Sequence, residues 1–325
     1  MKFNTFCIVA GSEACTGGCK WCVAAMTTAR SIHRGKAKPI DERIFRKACQ
    51  MAQQSGLDTA RITGKGEPTL FPDQIEQILR ELQPYGFTFV EMQTHGRHLA
   101  DEDYVSLEDM QKWADLGLTH VCISVVSYKP ERNFQHYFSH SKNYSSYFDM
   151  AALIAKLHKQ RINVRLTCIM QKGDIDSSVE LVKFMQWAKE VKADQVTILP
   201  VNKPQDRERN PKVFDAAMAS LLTDENLADL RGYVEKHGVP IRTLPWGAKV
   251  FDLAGQNLCF NMCLTESPDR DDSRQLIFYP PGTIGHDWQR EGATLYVLPE
   301  EATAGMELIP VRKRTEGKKA RHITP

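Results

Sequence analysis

The chain has 325 residues, 42% of them hydrophobic and 25% charged, with a formal net charge of +2. This is the make-up of a soluble globular protein with a sizeable core, and so weak a global field neither demands nor forbids an anionic partner. No apolar stretch is long enough to span a bilayer. Nine irregularly spaced cysteines, an odd count, speak against a disulfide framework and for a reducing cytoplasm.

At the N-terminus the apolar run is too short for a secretory signal, and Thr5–Val9 reads as a first strand. Asp41–Ser55 has helical periodicity, with Ile44, Ala48 and Met51 on one face. Thr59–Thr63 reads as a short strand, followed by the glycine-rich Gly64-Lys65-Gly66. Helical patterns over Gln74–Leu82, Leu107–Leu116, Tyr147–His158 and Ser177–Val191 alternate with strand-like runs over Phe87–Gln93, His120–Val126, Asn163–Met170 and Gln195–Pro200. That makes six β-then-α units. Regular alternation predicts parallel strands with helices outside, curled by right-handed crossovers into an open (β/α)6 partial TIM barrel. A doubly wound sheet is the alternative that pattern alone leaves open.

The character changes after Val201. Residues 202–212 are polar with two prolines and read as a long loop. Helical pattern returns over Val213–Leu222 and Asp224–His237, and short strand-like runs follow at Leu276–Tyr279, Thr294–Leu298 and Glu307–Val311. The expected organisation is a core barrel over 1–200 and a small C-terminal appendage over 201–325, a substrate or auxiliary region. The end, Arg312 to Arg321, is basic and reads as mobile. Its charges and those at 202–212 read as solvated surface, with capture of a phosphorylated or carboxylated substrate as the other reading. Little aromatic interleaving accompanies them, so a nucleic-acid partner is not expected.

The most informative string is Cys15-Thr-Gly-Gly-Cys19-Lys-Trp-Cys22. Three closely spaced thiolates can hold one four-iron cluster and leave one iron open to another ligand. Gly17 and Gly18 suit a loop whose backbone must approach a cluster closely. A zinc knuckle and inert buried thiols are the other readings. Structural zinc prefers four ligands in two close pairs, and Cys7, on the preceding strand, is poorly placed as the fourth. One βα unit later comes Thr63-Gly64-Lys65-Gly66-Glu67-Pro68-Thr69-Leu70. It sets backbone groups and one carboxylate at a strand's C-terminal end, where α/β folds bind ligands, although a plain Gly-Pro loop would look the same.

Together the two strings resemble the CxxxCxxC loop and the GGE motif of the radical S-adenosylmethionine (SAM) superfamily, over roughly residues 5–200. The resemblance implies a [4Fe–4S] cluster on Cys15, Cys19 and Cys22, with SAM bound to the open iron. It also implies reductive cleavage of SAM to a 5′-deoxyadenosyl radical, hydrogen abstraction from a substrate, and an external electron donor such as flavodoxin or ferredoxin. Trp21 matches the position near the adenine, and Gly66 and Glu67 match the part that meets the SAM amino group. Lys65 replaces the motif's usual second glycine. Met92-Gln93-Thr94-His95-Gly96 resembles the family's strand-end segment, with His95 in place of the more usual asparagine. Ser124 resembles a position that meets the SAM ribose or carboxylate, and Arg165 a polar position suited to a carboxylate.

Cys259 and Cys263 form a C-x3-C pair beyond the barrel, and no cysteine follows them. The layout resembles the tails of molybdenum-cofactor synthase and SPASM enzymes, but a four-thiolate auxiliary cluster cannot be built from it. Packing residues, or a zinc site with His286, are the other readings, and Cys122 and Cys168 read as inert core thiols. The incomplete set tilts the expectation toward a small-molecule substrate, a nucleotide or cofactor precursor, over a peptide or protein. A non-catalytic zinc-binding module is the alternative of another class.

Overall fold

The computed structural model describes residues 2–27, 32, 34–204, 206–208, 210–245, 247–261, 272–288, 290 and 292–314. Six strands follow in chain order: β1 (Lys2–Val9), β2 (Thr59–Thr63), β3 (Phe89–Thr94), β4 (His120–Val125), β5 (Asn163–Met170) and β6 (Gln195–Pro200). Each pairs in parallel with the next. Between them run α1 (Val23–Met26), α2 (Glu42–Gln54), α3 (Pro72–Leu82), α4 (Arg97–Ala100), α5 (Leu107–Asp115), α6 (Pro130–Tyr137), α7 (Met150–Lys159) and α8 (Ser178–Glu190). After β6 come α9 (Pro211–Ala219) and α10 (Asp224–His237), then β7 (Val239–Thr243), β8 (Lys249–Leu253), β9 (Gln256–Phe260), β10 (Asp272–Tyr279), β11 (Thr283–Gly285) and β12 (Thr294–Tyr296).

These strands form one sheet in the order β12-β11-β10-β1-β2-β3-β4-β5-β6-β9-β8-β7. The sheet does not close, so the expected open barrel is what forms. The chain beyond residue 200 extends it on both sides: β10 lies parallel to β1, and β9 lies parallel to β6.

Alternation along the strands explains what faces where. In β2, Ala60 and Ile62 are buried in the core under the helices, while Thr59, Arg61 and Thr63 line the central cavity. In β5, Val164, Leu166, Cys168 and Met170 face the helices, while Arg165, Thr167 and Ile169 line the cavity. The helix-facing positions are thus apolar, while the lumen mixes apolar side chains such as Ile169 and Leu199 with polar and charged ones. Helix starts are set by side-chain caps: Asp41 accepts from the Ile44 amide at 2.9 Å, and Ser106 and Asp109 form a reciprocal pair at α5.

Three expectations change. Cys122 is buried but faces the lumen, because its strand position carries it inward. Glu307–Val311 forms a single bridge, Ala37 with Ile309, rather than a strand. At the basic end, Arg312 pairs with Asp109 and Asp73 at 2.6 and 2.7 Å, and Arg314 pairs with Asp103 at 3.0 Å. Carboxylates on the α3–α5 side therefore fix residues 312–314, which were expected to be mobile; 315–321 lie outside the described residues. Among the described residues no helix is long and apolar enough to cross a membrane.

Candidate active site

The cysteine loop leaves β1 at the C-terminal mouth of the barrel. Gly11, at φ +79°, turns the chain where an added Cβ would stand 2.5 Å from the Phe71 ring. Its amide donates to Gln74 Oε1 at 2.6 Å. Gly18 N–H donates to Tyr137 O at 2.8 Å, tying the loop to α6. A Cβ on Gly17 would lie 3.4 Å from Cys15 Sγ and 4.0 Å from Cys19 Sγ, so two thiols converge on this bare backbone. Burial pushes the Cys15 thiol up to about 12, and the Glu67 carboxylate and Cys22 add to the rise. Burial, then Cys22 and Cys15, raise Cys19 as well.

The glycine turn docks on this loop. Glu67 N–H donates to Ala14 O at 2.9 Å. A Cβ on Gly66 would collide with Ala14 O and stand 2.7 Å from Ser12 O, so this position has no room for a side chain. Glu67 is buried, and Oε1 accepts from Thr69 Oγ1 and Thr94 Oγ1, both at 2.6 Å. The His95 amide donates to Oε2 at 3.1 Å. Burial alone would raise the Glu67 carboxyl, but the groups around it, the donating hydroxyls of Thr69 and Thr94 among them, outweigh it and hold it below the usual range.

Hydrogen-bond accounting orders the protons here. Thr69 Oγ1 donates to Glu67, so it accepts from His98 Nδ1 at 2.9 Å. His98 Nε2 then accepts from Thr16 Oγ1 at 3.1 Å. Thr16 in turn accepts from His95 Nε2 at 3.1 Å, consistent with His95 Nδ1 accepting the Arg97 amide. Burial keeps both imidazoles neutral, His98 being lowered to about 3. A continuous chain therefore links the cysteine loop to Glu67.

Below this mouth lies a cavity of about 1130 Å³. Ser124, Arg165, Gln93 and Lys65 line it. Arg165 clamps Glu91 with both terminal nitrogens, at 2.6 and 2.8 Å, and Arg61 Nε meets the same carboxylate at 3.0 Å. Trp21 is buried edge-on to His136 and Tyr137, with centroids 5.1 and 6.4 Å away. Cys259, on β9, also lines the cavity; Cys263 lies outside the described residues. The structure thus brings Thr94, Gly66, Glu67 and the cysteine loop together, and sets Arg165 in a separate, charged layer.

A family model described as the Radical SAM superfamily matches residues 9–185, more than half of the chain. The chain is a member of the radical SAM superfamily. Members of this family use a [4Fe–4S] cluster and SAM. No curated protein matches its sequence. Among solved structures it is similar to HydG, a maturase of the [FeFe]-hydrogenase, at 12% identity and TM-score 0.49, over 72% of this chain and 50% of that one. It is also similar to anSMEcpe with bound AdoMet and a peptide, at 11% identity and TM-score 0.49, over 72% and 59%. Methylornithine synthase (PylB) follows at 12% identity and TM-score 0.46, over 83% and 77%. The chain spans half of HydG and 59% of anSMEcpe.

The radical SAM cofactors suit the residues present. Thiols whose ionisation burial and their neighbours oppose would bind iron as thiolates, releasing their protons to water as the positive metal compensates the charge. Among the described residues, the one set of three His, Cys, Asp or Glu donors lying within 4.8 Å of one another is Glu67, His95 and His98. Thiolates on one zinc would stand closer than that, about 4 Å apart at ordinary Zn–S lengths. The three cysteines do not form such a set, as befits ligands on separate corners of a cluster. Glu67, His95 and His98 are instead tied together by the hydroxyls of Thr16, Thr69 and Thr94 and by the His95 amide.

The sequence pattern did not single out Thr16, Thr69 or His98 as site residues, although Thr69 lies inside the glycine string and His98 is four residues past Thr94. Nor did it single out Arg61 or Glu91. Their signal was the polar alternation within β2 and β3.

Proposed function

We propose that this radical SAM enzyme cleaves SAM reductively at a [4Fe–4S] cluster held by Cys15, Cys19 and Cys22, and removes a hydrogen atom from a small molecule in the barrel cavity. The observation that carries this reading is the Glu67 N–H to Ala14 O bond of 2.9 Å, which joins the cysteine loop and the buried carboxylate at one mouth of that cavity. When bound, the cluster and SAM supply a 5′-deoxyadenosyl radical able to take hydrogen from an unactivated C–H bond.

The chain's own work is holding and shielding. Three cysteines leave one corner of the cluster for SAM. The bare Gly66 backbone and the ionised Glu67 receive its ammonium group, and Thr94 fixes the carboxylate that does so. Trp21 packs at the adenine side, and Ser124 reaches the ribose or carboxylate from β4. Arg165 was a candidate for the SAM carboxylate; its clamp on Glu91 favours a role deeper in the lumen. Residues 1–200 serve as the core, and 201–325 as the substrate region, because Arg242, Cys259 and Arg274 enter the cavity wall from it. A flavodoxin or ferredoxin in a reducing cytoplasm is the matching electron source.

Anaerobically reconstituted protein given SAM and dithionite should release 5′-deoxyadenosine, read by mass spectrometry, and Cys19→Ala should abolish the release. Release that survives Cys19→Ala would end the assignment of the cluster ligands.

A further inference from the structure

The charged layer in the lumen is not explained by cluster or SAM binding. Arg61, Glu91 and Arg165 come from β2, β3 and β5 and meet in the cavity wall. One carboxylate serves two guanidinium groups, so the layer keeps a net positive charge. Glu91 stands three residues before Thr94, the residue that touches Glu67. At the rise of a strand this places the layer about 10 Å deeper than the SAM end of the cavity.

The surrounding groups do not neutralise it. Cys7, Cys122 and Cys259 line the same cavity. Burial raises all three thiols, Cys122 to about 11, so they stay protonated and carry no charge. Arg165 Nη2 spends a bond on the Cys122 sulfur at 3.0 Å. Among the described residues lining the cavity, Arg61, Arg165 and Arg242 stand against the carboxylates of Glu91 and Asp58, three cations to two anions. SAM is itself a net cation, and a cluster with three thiolates offsets only about that much. Arg61 and Arg165 are only 21% and 15% exposed, so an anion entering this partly enclosed space meets an unbalanced charge that water screens weakly.

The donors for such an anion are in place. Arg61 Nε is taken by Glu91, while its two terminal nitrogens make no hydrogen bond among the described residues and face the cavity. Arg165 Nε and Asn4 Nδ2 are buried without a partner in the wall of the same cavity.

We propose that Arg61, seated beside Arg165 by their shared carboxylate Glu91, binds an oxyanion group of the substrate, a phosphate or a carboxylate, at the inner end of the lumen. The substrate is then a small organic anion that points its charged end away from the cluster. This rests on the reading of the cavity as the substrate chamber.

The test is thermal melting of the full chain, anaerobically loaded with cluster, in inorganic phosphate or in succinate, each against sodium chloride of equal ionic strength. Phosphate or succinate should raise the melting temperature of the wild type beyond the chloride control, and whichever acts identifies the oxyanion. Arg61→Gln should lose the response. Arg61→Lys keeps the charge without the planar fork and should need about tenfold more anion for the same shift. A wild type that responds to both anions no more than to chloride overturns the proposal. So does an Arg61→Gln protein that responds like the wild type or, should that variant not melt cooperatively, an Arg61→Lys protein with an undiminished response. SAM cleavage is assayed separately on the wild type. An anion response without cleavage would sink the proposed function and leave the anion site standing.

Discussion

Thr94 Oγ1 donates to Glu67 Oε1 across 2.6 Å, fastening the end of β3 to the turn after β2. Both groups are buried, so water cannot replace the bond. Thr94→Val removes the donor and keeps the shape. A hydrogen bond to a charged group contributes about 2 kcal/mol, so SAM affinity should fall at least about tenfold. Equilibrium dialysis of SAM against the cluster-loaded protein reads this directly. Unchanged affinity would mean that Glu67 is held without Thr94.

Gly66→Ala should be disruptive for a steric reason. The new methyl would meet Ala14 O and Ser12 O, both backbone atoms of the cysteine loop that cannot swing aside. Overpacking of this kind costs about 1–3 kcal/mol, and here it would also displace the loop that bears Cys15. Denaturant unfolding and iron content should both fall. Gly35→Ala is the control, since nothing lies within 4 Å of the added atom.

Glu91 sets a pH dependence. Burial would raise its carboxyl, but Arg61 and Arg165 outweigh burial and lower it to about 2 from an ordinary 4.5. A depressed carboxyl contributes stability that is complete above its ordinary value and is lost as pH falls toward the folded value. The unfolding free energy of wild type should therefore exceed that of Glu91→Gln by about 3 kcal/mol at pH 6. The gap should close between about pH 4.5 and pH 2. Urea titrations at pH 6, 4 and 2.5 check the sign. A gap that widened on acidification would contradict the ion-pair account.

Cys259 stands in the cavity wall beside Thr197 of β6, its register partner. Burial raises its thiol, as expected of a neutral side chain. The double variant Cys259→Ala/Cys263→Ala should keep about four irons per chain after reconstitution. A count that dropped by several irons would reveal a second cluster.

Much of the barrel was legible because each strand is short, rich in β-branched residues and bounded by turn or helix signals. Thr59–Thr63, Asn163–Met170 and Gln195–Pro200 have the predicted limits. The cysteine loop and the glycine turn were legible because each is a continuous string. The strands β7, β8 and β9 were not, nor were two features nearer the site. Pro130–Tyr137 forms α6 although its sequence is mostly polar, because Asn133 is buried and caps the preceding turn through Val126 N. The Arg61–Glu91–Arg165 layer joins residues 30 and 74 positions apart. No local pattern announces such a meeting. It follows only once the strands are set side by side in register.

The pairing of β10 with β1 has a consequence for the order of events during synthesis. β1 keeps one edge bare until residues 272–279, far along the chain from it, have been made. Until then that flank, which leads straight into the cysteines, is a ready template for wrong partners. A nascent chain stalled before that point would therefore be the aggregation-prone species, and a late or assisted delivery of iron and sulfide would match the moment at which the loop first has a finished wall behind it.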